Sequence, residues 1–142
     1  MAASEYELVN LGRVSSAALM LSGVAGVVMP ERVASALQLT PASSRGIAEV
    51  RAGLGGTYAA LGAWALVSRR HAAGVAVGAS WLGAATARLV SLAIDRPQTD
   101  AAFWAYLVAE VGFGTIALAA ARTDSPANHA RAGDRRSGKH GS

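Results

Sequence analysis

The fold of this chain is indicated most clearly by the stretch Ala101-Ala-Phe-Trp-Ala-Tyr-Leu-Val-Ala-Glu-Val-Gly-Phe-Gly-Thr-Ile-Ala-Leu-Ala-Ala-Ala121. Its only charged residue is Glu110, and almost every other position is apolar or small. A helix of a soluble bundle needs a polar stripe every three or four residues, and this stretch has none. At about 1.5 Å of rise per residue, its length matches a hydrocarbon core of roughly 30 Å. The stretch therefore predicts a transmembrane helix.

Three further stretches are also almost free of charge, and the charged residues inside them are Glu49, Arg51 and Arg88. Each is long enough, with its flanking residues, to cross a bilayer as a helix. We therefore predict an all-α fold, a four-helix transmembrane bundle in residues 1–121. The predicted helices cover about residues 5–29, 46–68, 72–94 and 101–121.

The composition excludes several classes of function. Charged residues make up 15% of the chain, against roughly 25% in soluble domains. The chain has no Cys, which excludes disulfides and thiol chemistry, and no His lies inside a predicted helix. There is no phosphate-binding loop and no dinucleotide fingerprint. We expect no catalytic residue, no metal site and no cofactor.

A short segment from Pro30 to Leu37 separates the first two predicted helices. It opens with Pro at a helix-start position, and Val33, Ala36 and Leu37 share one face. We predict a short interfacial helix on the outer membrane surface. The acidic residues before the first apolar run argue against a cleaved signal peptide, so we expect that helix to be retained.

The distribution of Lys and Arg predicts the orientation in the membrane. On the side of the membrane that holds the N-terminus, the predicted topology places Arg13, Arg69, Arg70, Arg122, Arg131, Arg135, Arg136 and Lys139. On the opposite side it places Arg32, Arg45 and Arg96. Both termini are therefore expected in the cytoplasm. Residues 122–142 are predicted to form a disordered basic tail, which either contacts anionic headgroups or only marks the cytoplasmic side. No aromatic residue interleaves its basic residues, so we expect no nucleic-acid partner.

Charged residues inside the predicted helices indicate where a functional site would lie. Counted from the outer ends of their helices, Arg88 and Glu110 both lie roughly 10 to 13 Å deep, which makes them the expected pair. Neighbouring polar side chains extend this pair into a predicted polar cluster. Its members are Glu49, Arg51, Tyr58, Arg88, Ser91, Asp95, Tyr106 and Glu110.

Two interpretations of this cluster stay open. It is either a self-neutralising salt-bridge network that fixes helix register, or an outward-open pocket that binds a polar headgroup or carries protons. Small residues at every fourth position indicate close helix packing, within one chain or between two copies. They are the GxxxG of Gly74 and Gly78, the series Ala18, Ser22 and Gly26, and the series Ala52, Gly56 and Ala60.

The sequence Glu49-Val-Arg51-Ala52 with Gly55-Gly56, followed by Arg88, Asp95 and Glu110, resembles a known family. That family comprises bacterial four-helix membrane proteins classed as a domain of unknown function, and the resemblance covers about residues 11–121. Where the family has Gly after the Asp of the third helix, this chain has Arg96. The resemblance implies the topology, a polar cluster and a place in the bacterial inner membrane, and no activity.

We therefore expect a non-enzymatic component of a membrane assembly, either an accessory protein or one that binds a lipid or small molecule. Its expected partners are membrane lipid and a membrane protein or second copy. The alternative is a small oligomeric transporter or proton-coupled carrier that uses Glu49 and Glu110. A membrane enzyme acting on a lipid is the third hypothesis.

Overall fold

The computed structural model describes residues 3–68 and 70–123. All regular secondary structure in these residues is helical, which confirms the predicted all-α class. The helices, in chain order, are α1 (Ala3–Val28), α2 (Pro30–Ala36), α3 (Ser44–Val50), a π-helical segment (Arg51–Gly56), α4 (Thr57–Ser68), α5 (His71–Ile94) and α6 (Ala101–Thr123).

Three of the described helices are long and apolar enough to cross a membrane: α1 over Ser4–Val28, α5 and α6. The second predicted helix differs from expectation. The chain is helical without a break from Ser44 to Ser68, but it is divided by the π segment, which contains three glycines. The backbone N–H of Thr57 donates to the carbonyl of Ala52, five residues earlier, which is the hydrogen bond of a π turn, and the Thr57 hydroxyl donates to the same carbonyl at 3.3 Å.

The four long helical stretches pack side by side. Helix α5 runs along α6, α6 also contacts α1, and α1 runs along the π segment and α4. Contacts between α4 and α5 complete the ring. The centre is narrow, because its fully buried side chains are few and mostly small; Leu19, Val77 and Ala117 form its apolar core.

Glycines set the spacing between α1 and α4. A Cβ atom on Gly62 would lie 2.5 Å from the backbone nitrogen of Met20, and one on Gly23 would overlap the backbone of Ala59. The two backbones are therefore in direct contact, as expected where small residues line a helix interface. The predicted series of Ala52, Gly56 and Ala60 does not form this helix interface, since Ala52 and Ala60 are exposed.

The same close packing joins α6 to its other neighbours at one end of the molecule. A Cβ atom on Gly74 would lie 3.1 Å from the Cβ of Ala121, and one on Gly12 would overlap Ala120. The buried hydroxyl of Ser15 donates to the carbonyl of Phe113 at 2.9 Å and ties α1 to α6. We call this half of the bundle, which holds Gly12, Gly62, Gly74, Gly78 and Ala120, the closed end.

Polar side chains fix the connections at the opposite end. The Ser43 hydroxyl accepts a hydrogen bond from the Gly46 amide at 3.2 Å and caps α3. Asp100 caps α6 by accepting from the Phe103 amide at 2.8 Å, and its second oxygen accepts from Gln38 Nε2 at 3.0 Å. We call this half of the bundle, which holds α2 and residues 84–110, the open end.

The structure extends α6 beyond its predicted end. Arg122 and Thr123, assigned by the sequence to the basic tail, belong to the last turn of the helix. The Thr123 hydroxyl donates to the carbonyl of Ala120 at 2.7 Å within that turn. The rest of the predicted tail, residues 124–142, lies outside the described residues.

Candidate functional site

A buried ion pair joins α5 to α6 at the open end. Arg88 Nε donates to both carboxylate oxygens of Glu110 at 2.9 Å. Only 8% of the Glu110 side chain is exposed, against 26% of the Arg88 side chain. Pairing compensates the two charges where water is scarce, which a buried ion requires. The structure thus places together the two residues that lie at similar depth in their helices.

Two aromatic rings flank the Arg88 guanidinium. Its Cζ lies 5.6 Å from the ring centre of Phe103 and 5.4 Å from that of Tyr106, both at cation–π distance. Among the described residues, Arg88 donates hydrogen bonds only through Nε. The N–H groups of Nη1 and Nη2 therefore make no hydrogen bond within the described part of the chain. The two rings and Glu110 fix the plane of the guanidinium.

An apolar cavity of about 350 Å³ lies beside the ion pair, and we call it the inner cavity. Residues from α1, α2, the π segment, α4, α5 and α6 line it, and it is open on one side. Most of its lining is apolar or aromatic, and the polar exceptions include Arg88 and Glu110. Its lining residues are Ser22, Ala25, Val33, Ala36, Leu37, Leu54, Tyr58, Trp81, Ala84, Arg88, Tyr106, Ala109 and Glu110.

A second cavity of about 480 Å³, the outer cavity, lies between α2 and the loop that joins α5 to α6. It shares Ala36, Leu37, Arg88 and Tyr106 with the inner cavity, so the guanidinium lies at the boundary between the two. Its polar lining residues are Gln38, Arg88, Ser91, Asp95, Gln98, Asp100 and Tyr106.

The structure brings together six of the eight residues of the predicted cluster. Tyr58 and Glu110 line the inner cavity, Ser91 and Asp95 the outer cavity, and Arg88 and Tyr106 both.

Glu49 and Arg51 do not join the cluster. The Glu49 side chain is 73% exposed and lies 3.8 Å from Arg45 on its own helix. Arg51 Nε donates to the carbonyl of Val27, at the end of α1, at 3.0 Å. Neither residue lines the inner or the outer cavity.

The π segment explains why Arg51 and Tyr58 face different neighbours. In a regular helix, Arg51 and Tyr58 are seven residues apart and lie on nearly the same face. A π turn holds one extra residue, which rotates the residues after the turn by about 100° relative to those before it. The rotation leaves Tyr58 on the inner cavity and turns Arg51 toward α1.

Sequence reasoning missed Phe103 as part of the site, since its position next to Trp104 favours an aromatic band at the membrane surface. The available signal is its spacing: Phe103, Tyr106 and Glu110 recur at three and four residues and share one face of α6. Leu54 and Trp81 also line the inner cavity, and the second contacts Phe113 with ring centres 5.4 Å apart.

The arrangement is suited to holding a molecule that has an apolar part and a polar part. Small-molecule sites are mostly apolar concavities with a few fixed polar groups, and the inner cavity has that composition. The described residues contain no cluster of three or more His, Asp or Glu side chains that could hold a metal ion.

Comparison with known proteins identifies a family for the chain and no function. No curated protein and no solved structure gives a significant match to the chain. A family profile matches residues 11–121, which is most of the chain and contains the ion pair and both cavities. The chain belongs to the family described as Domain of unknown function (DUF4345).

Proposed function

We propose that this protein is a non-enzymatic membrane component that holds a lipid-like small molecule in the inner cavity. One observation carries the proposal: an apolar cavity of about 350 Å³ ends at a guanidinium that is fixed by Glu110 and two rings. Its free N–H donors would orient the polar part of a ligand, while the apolar walls would receive the rest.

The exterior of the bundle supports placement in a membrane. Large apolar side chains face outward along the long helices, including Leu21 at 60%, Ile94 at 73% and Val108 at 71% exposure. A soluble protein rarely exposes this much contiguous apolar surface. We propose that the continuous helical stretch from Ser44 to Ser68 is the fourth membrane-spanning element, beside α1, α5 and α6.

The Lys and Arg distribution supports an orientation with both termini in the cytoplasm of a bacterial cell. The open end, with α2, would then face the outer side of the inner membrane. A ligand would enter from the outer leaflet or from the outer aqueous phase through the outer cavity.

Native mass spectrometry of the full chain, extracted gently from its own membrane, tests the proposal. We expect a bound mass of a few hundred daltons on the wild type. Ala84 lines the inner cavity, so Ala84→Leu should fill it and remove this mass. Ala79 lies exposed on the same helix outside the cavity, and Ala79→Leu should retain it.

Two results would overturn the proposal. One is a wild-type protein without bound mass, and the other is a bound mass that Ala84→Leu retains as fully as Ala79→Leu does. A stable co-purifying protein in place of the small mass would favour a purely accessory role. Flux into liposomes that depends on pH and is lost in Glu110→Gln would favour the proton-coupled carrier.

A further inference from the structure

The two cavities together define the class of ligand, an inference that rests on the proposed function. We propose that the ligand is a single-chain amphiphile with a zwitterionic head. Its chain occupies the inner cavity, its anionic group binds the Nη groups of Arg88, and its cationic group lies at Asp95 in the outer cavity.

The size of the inner cavity favours one chain. A volume of about 350 Å³ holds roughly a dozen non-hydrogen atoms if each takes ~30 Å³, the share of a water molecule in the liquid. One short chain or ring system fits this space, and two acyl chains do not. The side chains that would contact it are mostly apolar, among them Val33 and Leu54; Trp81 adds an indole N–H that is buried and has no hydrogen-bond partner among the described residues.

The Arg88 guanidinium supplies the donors for the anionic group. Nε is occupied by Glu110, and the two Nη groups form the free edge of the planar fork. That edge presents paired N–H donors, the geometry that recognises phosphate and carboxylate oxygens. Arg88 lines both cavities, so a group bound there lies where a chain and a head would join.

Asp95 supplies the partner for the cationic group. It forms the C-cap of α5, where the helix dipole is negative and a carboxylate is unfavourable. Asp95 is exposed on the outer cavity, its carboxylate makes no hydrogen bond or ion pair with the described residues, and neighbouring Arg96 is not within ion-pair distance, so the carboxylate is open to a cation that enters from solvent. Asp100 lines the same cavity, but its two oxygens already accept from Phe103 and Gln38.

The charge balance distinguishes a zwitterion from a simple ion. Arg88 and Glu110 neutralise each other, so an added anion would bring net negative charge next to Asp95 and Asp100. An added cation would satisfy Asp95 and leave the Nη groups without an acceptor. Asp95 lies two turns beyond Arg88 on the same face of α5, about 10 Å along its axis. Both side chains can reach toward a head that lies between them.

Fluorescence quenching in lipid nanodiscs tests this assignment. The double variant Trp64→Phe, Trp104→Phe keeps Trp81, which lines the inner cavity, as the only tryptophan. The double variant Trp64→Phe, Trp81→Phe keeps Trp104, which is 48% exposed, and reports partition into the bilayer alone. The probes are lysophosphatidylcholine, the fatty acid and the alkylamine, each with the same brominated chain.

We expect lysophosphatidylcholine to quench Trp81 saturably, at a half-saturating concentration at least tenfold below that of either other probe. Quenching of Trp104 should rise without saturation for all three. Asp95→Asn should remove the advantage of the zwitterion over the fatty acid. Glu49→Gln, which removes an exposed carboxylate outside both cavities, should leave that advantage unchanged.

The possible failures are distinguishable. If the fatty acid or the amine binds as tightly as the zwitterion, or if Asp95→Asn leaves the preference intact, the headgroup assignment is wrong and cavity binding still holds. If no probe quenches Trp81 saturably, the assignment is wrong and amphiphile binding in the inner cavity is contradicted as well.

Discussion

The closed and open ends of the bundle belong to the same helices but differ in the size and polarity of the side chains between them. At the closed end, glycine and alanine bring backbones into contact, as where Gly62 meets Met20. At the open end, the helices carry Arg88, Glu110, Tyr106 and Phe103, and cavities of about 350 and 480 Å³ lie between the helices and α2.

Small residues permit backbone contact along the closed end, and on the α1 side of the open end the same contact is kept where Gly26 meets Gly55. Backbone contact is possible only where small residues face each other, and large side chains hold the helices apart elsewhere. Both cavities lie at the end where the large side chains of Arg88 and Tyr106 line the space between the helices. Both ends therefore contribute to stability, through a buried charge pair at the open end and through backbone contact at the closed end.

The largest effect is expected at the open end, on removal of one member of the ion pair. Arg88→Ala leaves the buried Glu110 carboxylate without its partner and should lower the free energy of unfolding by about 3–5 kcal/mol. Arg88→Ala with Glu110→Ala should recover part of this loss. Unfolding of the purified protein in a denaturing detergent titration measures both.

The exposed pair of Arg45 and Glu49 is the matched control, and Arg45→Ala should change stability by less than about 1 kcal/mol. A double variant no more stable than Arg88→Ala alone would show that the pair does not couple the two helices.

The next effect is expected at the closed end. Gly62→Ala places a Cβ atom against the Met20 backbone, which cannot move without separating α1 from α4, and should cost about 1–3 kcal/mol. Gly83→Ala is the control, because its Cβ would meet nothing within 4 Å. The control should be neutral or stabilise α5 by up to about 1 kcal/mol. Equal effects of the two variants on unfolding would contradict the backbone contact.

A smaller effect, of opposite sign, is expected at the rim of the outer cavity. Arg96 follows the end of α5 with φ of 47°, a left-handed conformation that favours glycine. Arg96→Gly should raise the free energy of unfolding by about 1 kcal/mol. Arg96→Ala removes the same charge and keeps a Cβ atom, so it should give no such gain; equal gains would assign the effect to charge.

The smallest effect concerns the hydrogen bond that ties α1 to α6. Ser15→Ala removes the bond to the Phe113 carbonyl and should cost about 0.6 kcal/mol, the average for such bonds between membrane helices. Ser80 bonds only to Ala76 within α5. Ser80→Ala should therefore lower the free energy of unfolding by less than Ser15→Ala does. A larger loss for Ser80→Ala in the same detergent titration would contradict the role given to the Ser15 hydrogen bond.

The fold class and the central ion pair could be predicted from the sequence, because both depend on distances along regular helices. Arg88 and Glu110 flank one short loop at seven residues before Asp95 and ten after Asp100, so antiparallel helices bring them to levels about 5 Å apart, within reach of their long side chains. This calculation needs only a constant rise per residue, which α5 and α6 provide.

The separation of Arg51 from the other members of the predicted cluster could not be predicted, because it depends on a change of helix type. A glycine-rich stretch is compatible with an α-helix or a π turn, and hydrophobic periodicity does not distinguish them. The choice turns Arg51 toward Val27 and leaves Tyr58 on the inner cavity. The wall that α2 forms in the inner cavity depends on tertiary packing. The sequence shows that Val33, Ala36 and Leu37 form an apolar face, but not which helices that face contacts.

The neutrality of the buried ion pair has a consequence for an energised membrane. A single charge moved through the full transmembrane potential changes in energy by about 2.3 kcal/mol per 100 mV. Arg88 and Glu110 lie side by side with opposite charges, so the potential exerts almost no net force on them. A zwitterion bound beside them adds no net charge. Occupancy of the cavities should therefore depend less on membrane voltage than the transport of a lone proton on Glu110 would, because opposite charges a short distance apart cross only part of the potential.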